Sequence, residues 1–437
     1  MTSNAATHPD TLALLGGDPL IQTPPLCYRS MGEAEKLAVA RVMDSDCISG
    51  FFGSPGNLFL GGPTVRAFED AWCKRFCNRH AVSVNSATSG LIAAVGAAGV
   101  GPGDEIIVPP YTMSATVVAP LFYGAIPVFV DIEEDTFCLD PDLVQKAITS
   151  KTKVIIAVNL FGHPAQLGAL RKIADEADLI LIEDSSQSPL GSENDSKCGT
   201  VGDMGVFSFN YHKHIHTGEG GIVTTDNPKL AKRLQLIRNH GENVVERWNI
   251  DDITNLVGLN FRMTELSAAI GIEQLKNADH HVKRREEIAH CLSDAVRGLK
   301  GLTPPMVRSG CRHNYYCWVM RCDEDQLGVS RSTFSKALTA EGFPHGVGYV
   351  RPLYLLPLFQ QGKAIGRDGW PFNQGDYKYD QISCPVTERM YEKEVILFEP
   401  CVFDLDAKGA ELMGAAIVKV HRNLAALSDW ETRQADD

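Results

Sequence analysis

The sequence predicts an α/β protein: a large, mostly parallel sheet covered by helices on both faces, followed by a smaller α+β region. Three observations carry this. Strand-like apolar runs at residues 81–85, 106–108, 128–131, 154–158 and 179–182 are separated by helical-length segments, the alternation of a sheet buried on both sides. From Thr264 a helical pattern through Leu266, Ile270 and Leu275 continues into Lys283-Arg284-Arg285-Glu286-Glu287 and bridges to the C-terminal part. There, residues 315–320 read as a strand and residues 331–340 as a helix. The expected division is a large domain over residues 10–285, including an N-terminal segment, and a small domain over residues 286–430.

Taken in order, each element follows from local chemistry. After the run at 81–85, Ser86-Ala87-Thr88-Ser89-Gly90 is a turn of small residues that opens a helix. Free backbone amides there suit an anion, although the same residues also make an ordinary helix start. The run at 179–182 leads through Glu183 to Asp184, a carboxylate at the C-terminal end of a strand, where ligands of open α/β sheets collect. By residue type alone Asp184 also reads as a helix N-cap. Residues 205–209 and 222–225 read as two further strands, with Gly218, Gly220 and Gly221 supplying the turn and Lys213 lying between them. The glycine- and aromatic-rich stretch 361–380 reads as a long loop, either lining a substrate entrance or forming a plain surface excursion. Residues up to His8 and beyond Asp429 read as polar, loosely held tails.

Composition bounds the function. The 437 residues, 44% hydrophobic and 22% charged, suffice for a large core and more than one domain. A formal net charge of −13 argues against nonspecific nucleic-acid or membrane binding and leaves an anionic substrate to a local basic patch drawn from Arg238, Arg247, Arg262 or Arg351. The twelve cysteines show no paired rhythm, and Met1-Thr2-Ser3-Asn4-Ala5-Ala6 does not open a leader. No apolar run approaches the ~20 residues that span a bilayer. The expectation is a soluble, cytoplasmic protein with reduced thiols.

The chemistry centres on Lys213. A lysine in a tight loop, with Ser208 five residues before it and Asp184 on a separate strand, suits a Schiff-base lysine holding an aldehyde cofactor. Asp184 is placed to ion-pair with a pyridinium nitrogen, which makes pyridoxal phosphate an electron sink, and the turn at 86–90 offers a phosphate site. With lysine, aspartate and phosphate turn in this order, the chain resembles the DegT/DnrJ/EryC1/StrS aminotransferases, which aminate keto sugars and cyclitols. The resemblance covers nearly the whole chain, through Leu15-Gly16-Gly17-Asp18-Pro19, Gly62-Pro63-Thr64-Val65, Gly101-Pro102-Gly103-Asp104-Glu105, Gly218-Glu219-Gly220-Gly221, Arg238-Asn239-His240-Gly241 and Gly258-Leu259-Asn260-Phe261-Arg262-Met263. It implies the fold type I architecture of pyridoxal-phosphate transferases. It makes Lys213 the cofactor lysine, Asp184 the pyridine-nitrogen partner and Gln187 a contact to the phenolic oxygen, with Ala87, Thr88 and Ser208 on the phosphate. Asn260 would reach the phosphate of the neighbouring subunit, implying a homodimer with shared sites. The implied partners are an amino donor, glutamate or glutamine, and a keto sugar, often nucleotide-linked, or a cyclitol. By residue type alone Asn260 is also a default turn former.

Two departures from the family pattern stand out. Met113 occupies the slot where an aromatic residue usually stacks on the cofactor ring, and a flexible thioether orients a ring less firmly. The lysine is also flanked by His212, His214 and His216, where small or hydroxylated residues are usual. Alternate histidines tempt a metal reading, but no cysteine or carboxylate pattern completes a zinc site, and hydrogen bonding is the expected use. Cys73 and Cys77 read as two cysteines on a helix face, and His280 and His281 as solvated surface. Alongside the aminotransferase stand two other readings, a pyridoxal-phosphate-dependent sugar dehydratase or isomerase and a non-catalytic regulatory homologue.

Overall fold

The computed structural model describes residues 10–375 and 377–436. Its centre is a seven-stranded sheet formed by β1 (His80–Val84), β2 (Glu105–Val108), β3 (Ile126–Phe129), β4 (Thr152–Val158), β5 (Ile180–Asp184), β6 (Met204–Ser208) and β7 (Gly221–Thr225). The order across the sheet is β1-β7-β6-β5-β4-β2-β3. The neighbours β3, β2, β4, β5 and β6 run parallel, and β7 is antiparallel to both β6 and β1. Strands β2 and β7 are buried along their whole length, which is why Ile106–Val108 reads as an apolar run rather than an alternating one.

Helices close both faces. The helix Ala87–Ala97 starts where Ser86 accepts the Ser89 amide at 3.1 Å, and it is buried from Ser89 onward. Gly90 lets it settle on the sheet, since a Cβ there would lie 3.0 Å from Val206 Cγ1. On the opposite face Pro63–Phe76 brings Trp72 and Phe76 into a stack with centroids 4.4 Å apart, against Phe207 and Phe209. Cys73 lies on this helix, whereas Cys77 ends it in a left-handed conformation with φ 65°.

A second, four-stranded antiparallel sheet is built from β8 (Leu302–Thr303), β9 (Trp318–Cys322), β10 (Gly346–Val347) and β11 (Val395–Phe398), in the order β8-β9-β11-β10. The helices Ala278–Val296, Arg331–Ala340 and Ala407–Arg422 pack on it, and Trp318 donates from Nε1 to Ser293 Oγ at 2.9 Å. Leu12 and Ile21 of the N-terminal segment bury in this second core. The position 285/286 falls inside the helix Ala278–Val296.

Several expectations are corrected here. The long helix after Thr264 is two helices, Glu265–Lys276 and Ala278–Val296, separated at Asn277. Residues beyond Asp429 are not a loose tail: the helix Leu424–Asp436 runs through them, and Glu431 accepts from Ser330 and Thr333. The tail up to His8 lies outside the described residues. The described part of the stretch 361–380 covers the β3 edge, where Phe372 and Tyr379 pack with Phe359 and the Tyr379 hydroxyl donates to the Pro127 carbonyl at 2.9 Å. It does not line the pocket around Lys213. No helix among the described residues is long and apolar enough to cross a membrane, and none of the twelve cysteines is in a disulfide.

Candidate active site

A cavity of about 380 Å³ opens at the C-terminal ends of the parallel strands, within the usual range for small-molecule sites. Its wall contains Ala87, Thr88, Met113, Asp184, Gln187, Ser208 and Lys213, seven positions singled out in the sequence and drawn from five separate segments. Each arrives for a local reason. Asp184 is the last residue of β5 and is buried. Rather than capping a helix, it turns back to accept the Ser186 amide at 3.1 Å. Ser208 ends β6 and accepts the Asn210 amide at 3.3 Å. Lys213 lies in the loop between β6 and β7, whose base is closed by hydrogen bonds from Phe209 N to Gly220 O (2.8 Å) and from Thr217 N to Phe209 O (3.0 Å).

Electrostatics concentrate on Lys213 and Asp184. The Lys213 ammonium sits 4.2 Å from the centroid of the Tyr316 ring and has no hydrogen-bonded or ion-paired carboxylate among the described residues. Burial lowers its pKa, with the Asp184 carboxylate the main opposing influence. Burial raises the Asp184 pKa, opposed by hydrogen bonds from Ser186 and by the Lys213 charge. Beside them His212 is pushed down to about 4, first by burial and then by the Lys213 charge. It therefore faces the cavity as a neutral imidazole.

The residues present fit pyridoxal phosphate. At the start of the helix Ala87–Ala97 the amides of Ala87 and Thr88 have no acceptor among the described residues, because Ser86 takes only the Ser89 amide. They give an anion two free donors at a helix N-terminus. Asp184, buried with a raised pKa, gains from a cationic ring nitrogen what Lys213 alone supplies only in part. Gln187 is locked by two bonds, accepting the Phe161 amide at 2.7 Å and donating to the Tyr349 hydroxyl at 2.9 Å, which leaves one Nε2 hydrogen for a ligand. Met113 is 60% exposed at the rim.

Asn260 is not brought to this cavity. It lies at the surface, its side chain accepting from Arg262 Nε at 2.7 Å and its carbonyl from Asn85 Nδ2 at 3.4 Å. Two expectations fail on burial. Arg238 is wholly buried, ion-paired to Glu69 at 2.6 Å and bonded to the Ser83 carbonyl at 3.1 Å, so it cannot join a substrate patch. His281 is 5% exposed and hydrogen-bonded to the Tyr28 hydroxyl at 3.0 Å, not solvated. Sequence reasoning missed Tyr316 and Tyr349. Tyr349 follows Gly348, whose φ of 68° makes a glycine–aromatic turn that pattern reading could have found. A larger surface recess of about 640 Å³ is lined by Glu134, Arg321, Arg389 and Glu394, whose charges pair with one another.

The family model described as the DegT/DnrJ/EryC1/StrS aminotransferase family matches residues 54–397. The spore coat polysaccharide biosynthesis protein SpsC of Bacillus subtilis is 33% identical over 360 residues, covering 80% of this chain and 91% of that protein. A Streptoalloteichus tenebrarius protein provisionally named L-glutamine:3-amino-2,3-dideoxy-scyllo-inosose aminotransferase is 31% identical over 428 residues, 95% of this chain and 99% of that one. Among solved structures, S. venezuelae DesV in complex with a ketimine intermediate superposes with a TM-score of 0.74 at 30% identity, covering 89% of this chain and 94% of that one.

Proposed function

The chain belongs to the DegT/DnrJ/EryC1/StrS aminotransferase family and is a pyridoxal-phosphate-dependent aminotransferase, and from that premise we propose that it moves an amino group from glutamine or glutamate to a ketone of a sugar or cyclitol, with Lys213 as its catalytic residue. The observation that carries the assignment is a buried lysine amine with no hydrogen-bonded or ion-paired carboxylate among the described residues, held over Tyr316 in the same cavity wall as Asp184. Pyridoxal phosphate, when bound, supplies the electron sink. The chain supplies the rest. The amides of Ala87 and Thr88 and the Ser208 hydroxyl would hold the cofactor's phosphate, Asp184 would keep its ring nitrogen protonated, Gln187 would donate its remaining N–H to the phenolic oxygen, and Met113 would stand beside the ring at the rim. Lys213 moves the α-proton through its Nζ. That role requires a neutral amine for part of the time, and burial of the side chain favours one.

Asn260 lies exposed outside the wall of its own cavity, as a homodimer in which it serves the partner's phosphate site would have it. We place the enzyme in the cytoplasm on the strength of its free cysteines. Near end-to-end similarity to a protein named for glutamine and an amino-inosose supports glutamine as donor and a cyclitol ketone as acceptor.

Absorbance spectroscopy tests the reading. The purified enzyme should be yellow, lose that band on addition of glutamine or glutamate, and regain it with one member of a panel of keto cyclitols, free keto sugars and nucleotide-linked keto sugars. A bound cofactor indifferent to both donors would favour a dehydratase or isomerase. A protein that binds no cofactor would favour a regulatory role.

A further inference from the structure

Behind the Lys213 loop lies a second, smaller space of about 30 Å³, which shares Lys213 and His212 with the wall of the cofactor cavity. Tyr28, Ser30, His214, His216, His281 and Arg285 line it. Arg285 is only 4% exposed, yet it ion-pairs with no carboxylate among the described residues. Its Nη2 donates to the Lys213 carbonyl at 3.3 Å, while Nη1 is buried without a partner. Nδ1 of His214, Nδ1 of His216 and Nε2 of His281 are likewise buried and unpartnered. The nearby acids do not answer this charge. Glu35 accepts from Gly32 N and Gln274 Nε2, and Glu399 influences Arg285 through space without an ion pair.

A buried, unmatched guanidinium is costly, and four unpartnered polar atoms around one void mark a site with an occupant. A water needs roughly 10–15 Å³ by this measure, so the space holds about two water-sized species. The hydrogen bonds say which. His214 Nε2 faces the Asn314 carbonyl at 3.1 Å and so carries the proton, which leaves Nδ1 a bare lone pair. The Ser30 hydroxyl meets His216 Nε2 at 2.6 Å and the Tyr28 hydroxyl meets His281 Nδ1 at 3.0 Å. When both hydroxyls donate, the arrangement that an anion in the space selects, His216 Nδ1 and His281 Nε2 carry N–H groups. The space thus meets a guanidinium, two imidazole donors and one acceptor.

We propose that this space binds one small monovalent anion of the chloride class, together with a single water that donates one hydrogen to His214 Nδ1 and the other to the anion. The anion matches the Arg285 charge and accepts from His216 and His281. Burial holds all three histidines below their usual range, so Arg285 is the cation that recruits it.

Thermal unfolding of the full-length holoenzyme in sodium chloride, bromide and gluconate at constant ionic strength tests the proposal. The Tm should rise and saturate with chloride and bromide but not with gluconate, as specific binding to the native state requires, and Arg285→Gln should abolish the response. Equal Tm values in all three salts would overturn it, as would an Arg285→Gln protein that keeps the full halide response. Should that variant fail to fold, wild-type crystals grown in bromide decide the matter. An anomalous peak within hydrogen-bonding distance of Arg285 Nη1 supports the site, and water alone at saturating bromide refutes it.

Discussion

Gly221→Ala should weaken cofactor binding and destabilise the fold by comparable amounts. Gly221 begins β7 directly beneath the Ser86–Ala87 peptide, and a Cβ there would lie 2.7 Å from Ser86 C and 2.8 Å from Ala87 N. Its φ is not positive, so alanine is allowed by the backbone and the effect is steric. Ordinary contact begins near 3.4 Å, so the peptide must retreat by about 0.6–0.7 Å. Overpacking of this kind costs about 1–3 kcal/mol of stability. The same retreat displaces the two free amides proposed to hold the phosphate. Loss of one charge-assisted hydrogen bond, about 1.5–3 kcal/mol, corresponds to a roughly ten- to hundredfold weaker Kd for pyridoxal phosphate. Equilibrium dialysis of the cofactor-free protein gives the affinity and urea unfolding gives the stability. A variant that loses stability while binding the cofactor as wild type does would refute the placement of the phosphate at Ala87 and Thr88.

Other expectations follow from the same geometry. Because burial lowers the Lys213 pKa, the unfolded chain binds more protons at this site than the folded one, from the lowered value up to the ordinary ~10.4. Lys213→Met should therefore stabilise the cofactor-free protein at neutral pH, with a gain in Tm that fades as pH approaches ~10.4; a gain independent of pH would contradict the lowered pKa. Asp184→Asn should depress kcat much more than cofactor affinity, because the phosphate contacts remain, and equal losses would argue against its pairing with the ring nitrogen. Arg238→Met leaves the Glu69 carboxylate with only the Ser83 amide and hydroxyl, and should cost about 3–5 kcal/mol in urea unfolding, partly restored by adding Glu69→Gln. Once Asn260→Ala alone is measured to be severely impaired, mixing it with Lys213→Ala under verified subunit exchange should return up to about a quarter of wild-type activity, as random pairing in a two-fold dimer allows. No recovery would reject the shared site.

What the sequence made legible was local. Strand ends, a small-residue helix start and a lysine between two strands declare themselves within a dozen residues, and so the cavity gathers Ala87, Thr88, Asp184, Ser208 and Lys213. What it hid depends on partners far along the chain. Arg238 looked like a surface cation until its Glu69 partner, 169 positions away, buried it. His281 looked solvated until Tyr28, 253 positions away, covered it. Residues beyond Asp429 looked loose because the groups that hold Glu431 lie about a hundred positions earlier, at Ser330 and Thr333. The Tyr349 bond to Gln187 joins the second sheet region to the first, and no periodicity encodes it.

That bond has a companion in the Tyr111 hydroxyl, which donates to the Gly348 carbonyl at 2.9 Å, so the segment around Gly348 and Tyr349 is stitched to the floor of the cavity at two points. The rim is different: Met113 and Glu219 stand exposed, with Glu219 held by a bond from Asn210 Nδ2 at 2.8 Å. In evolutionary terms the enzyme separates inheritance from experiment. Substitutions at the stitched floor disturb the seat of the cofactor, whereas those at the exposed rim cost the fold little. Descendants of such a scaffold can exchange one ketone for another by drift at the mouth while the chemistry beneath stays the same.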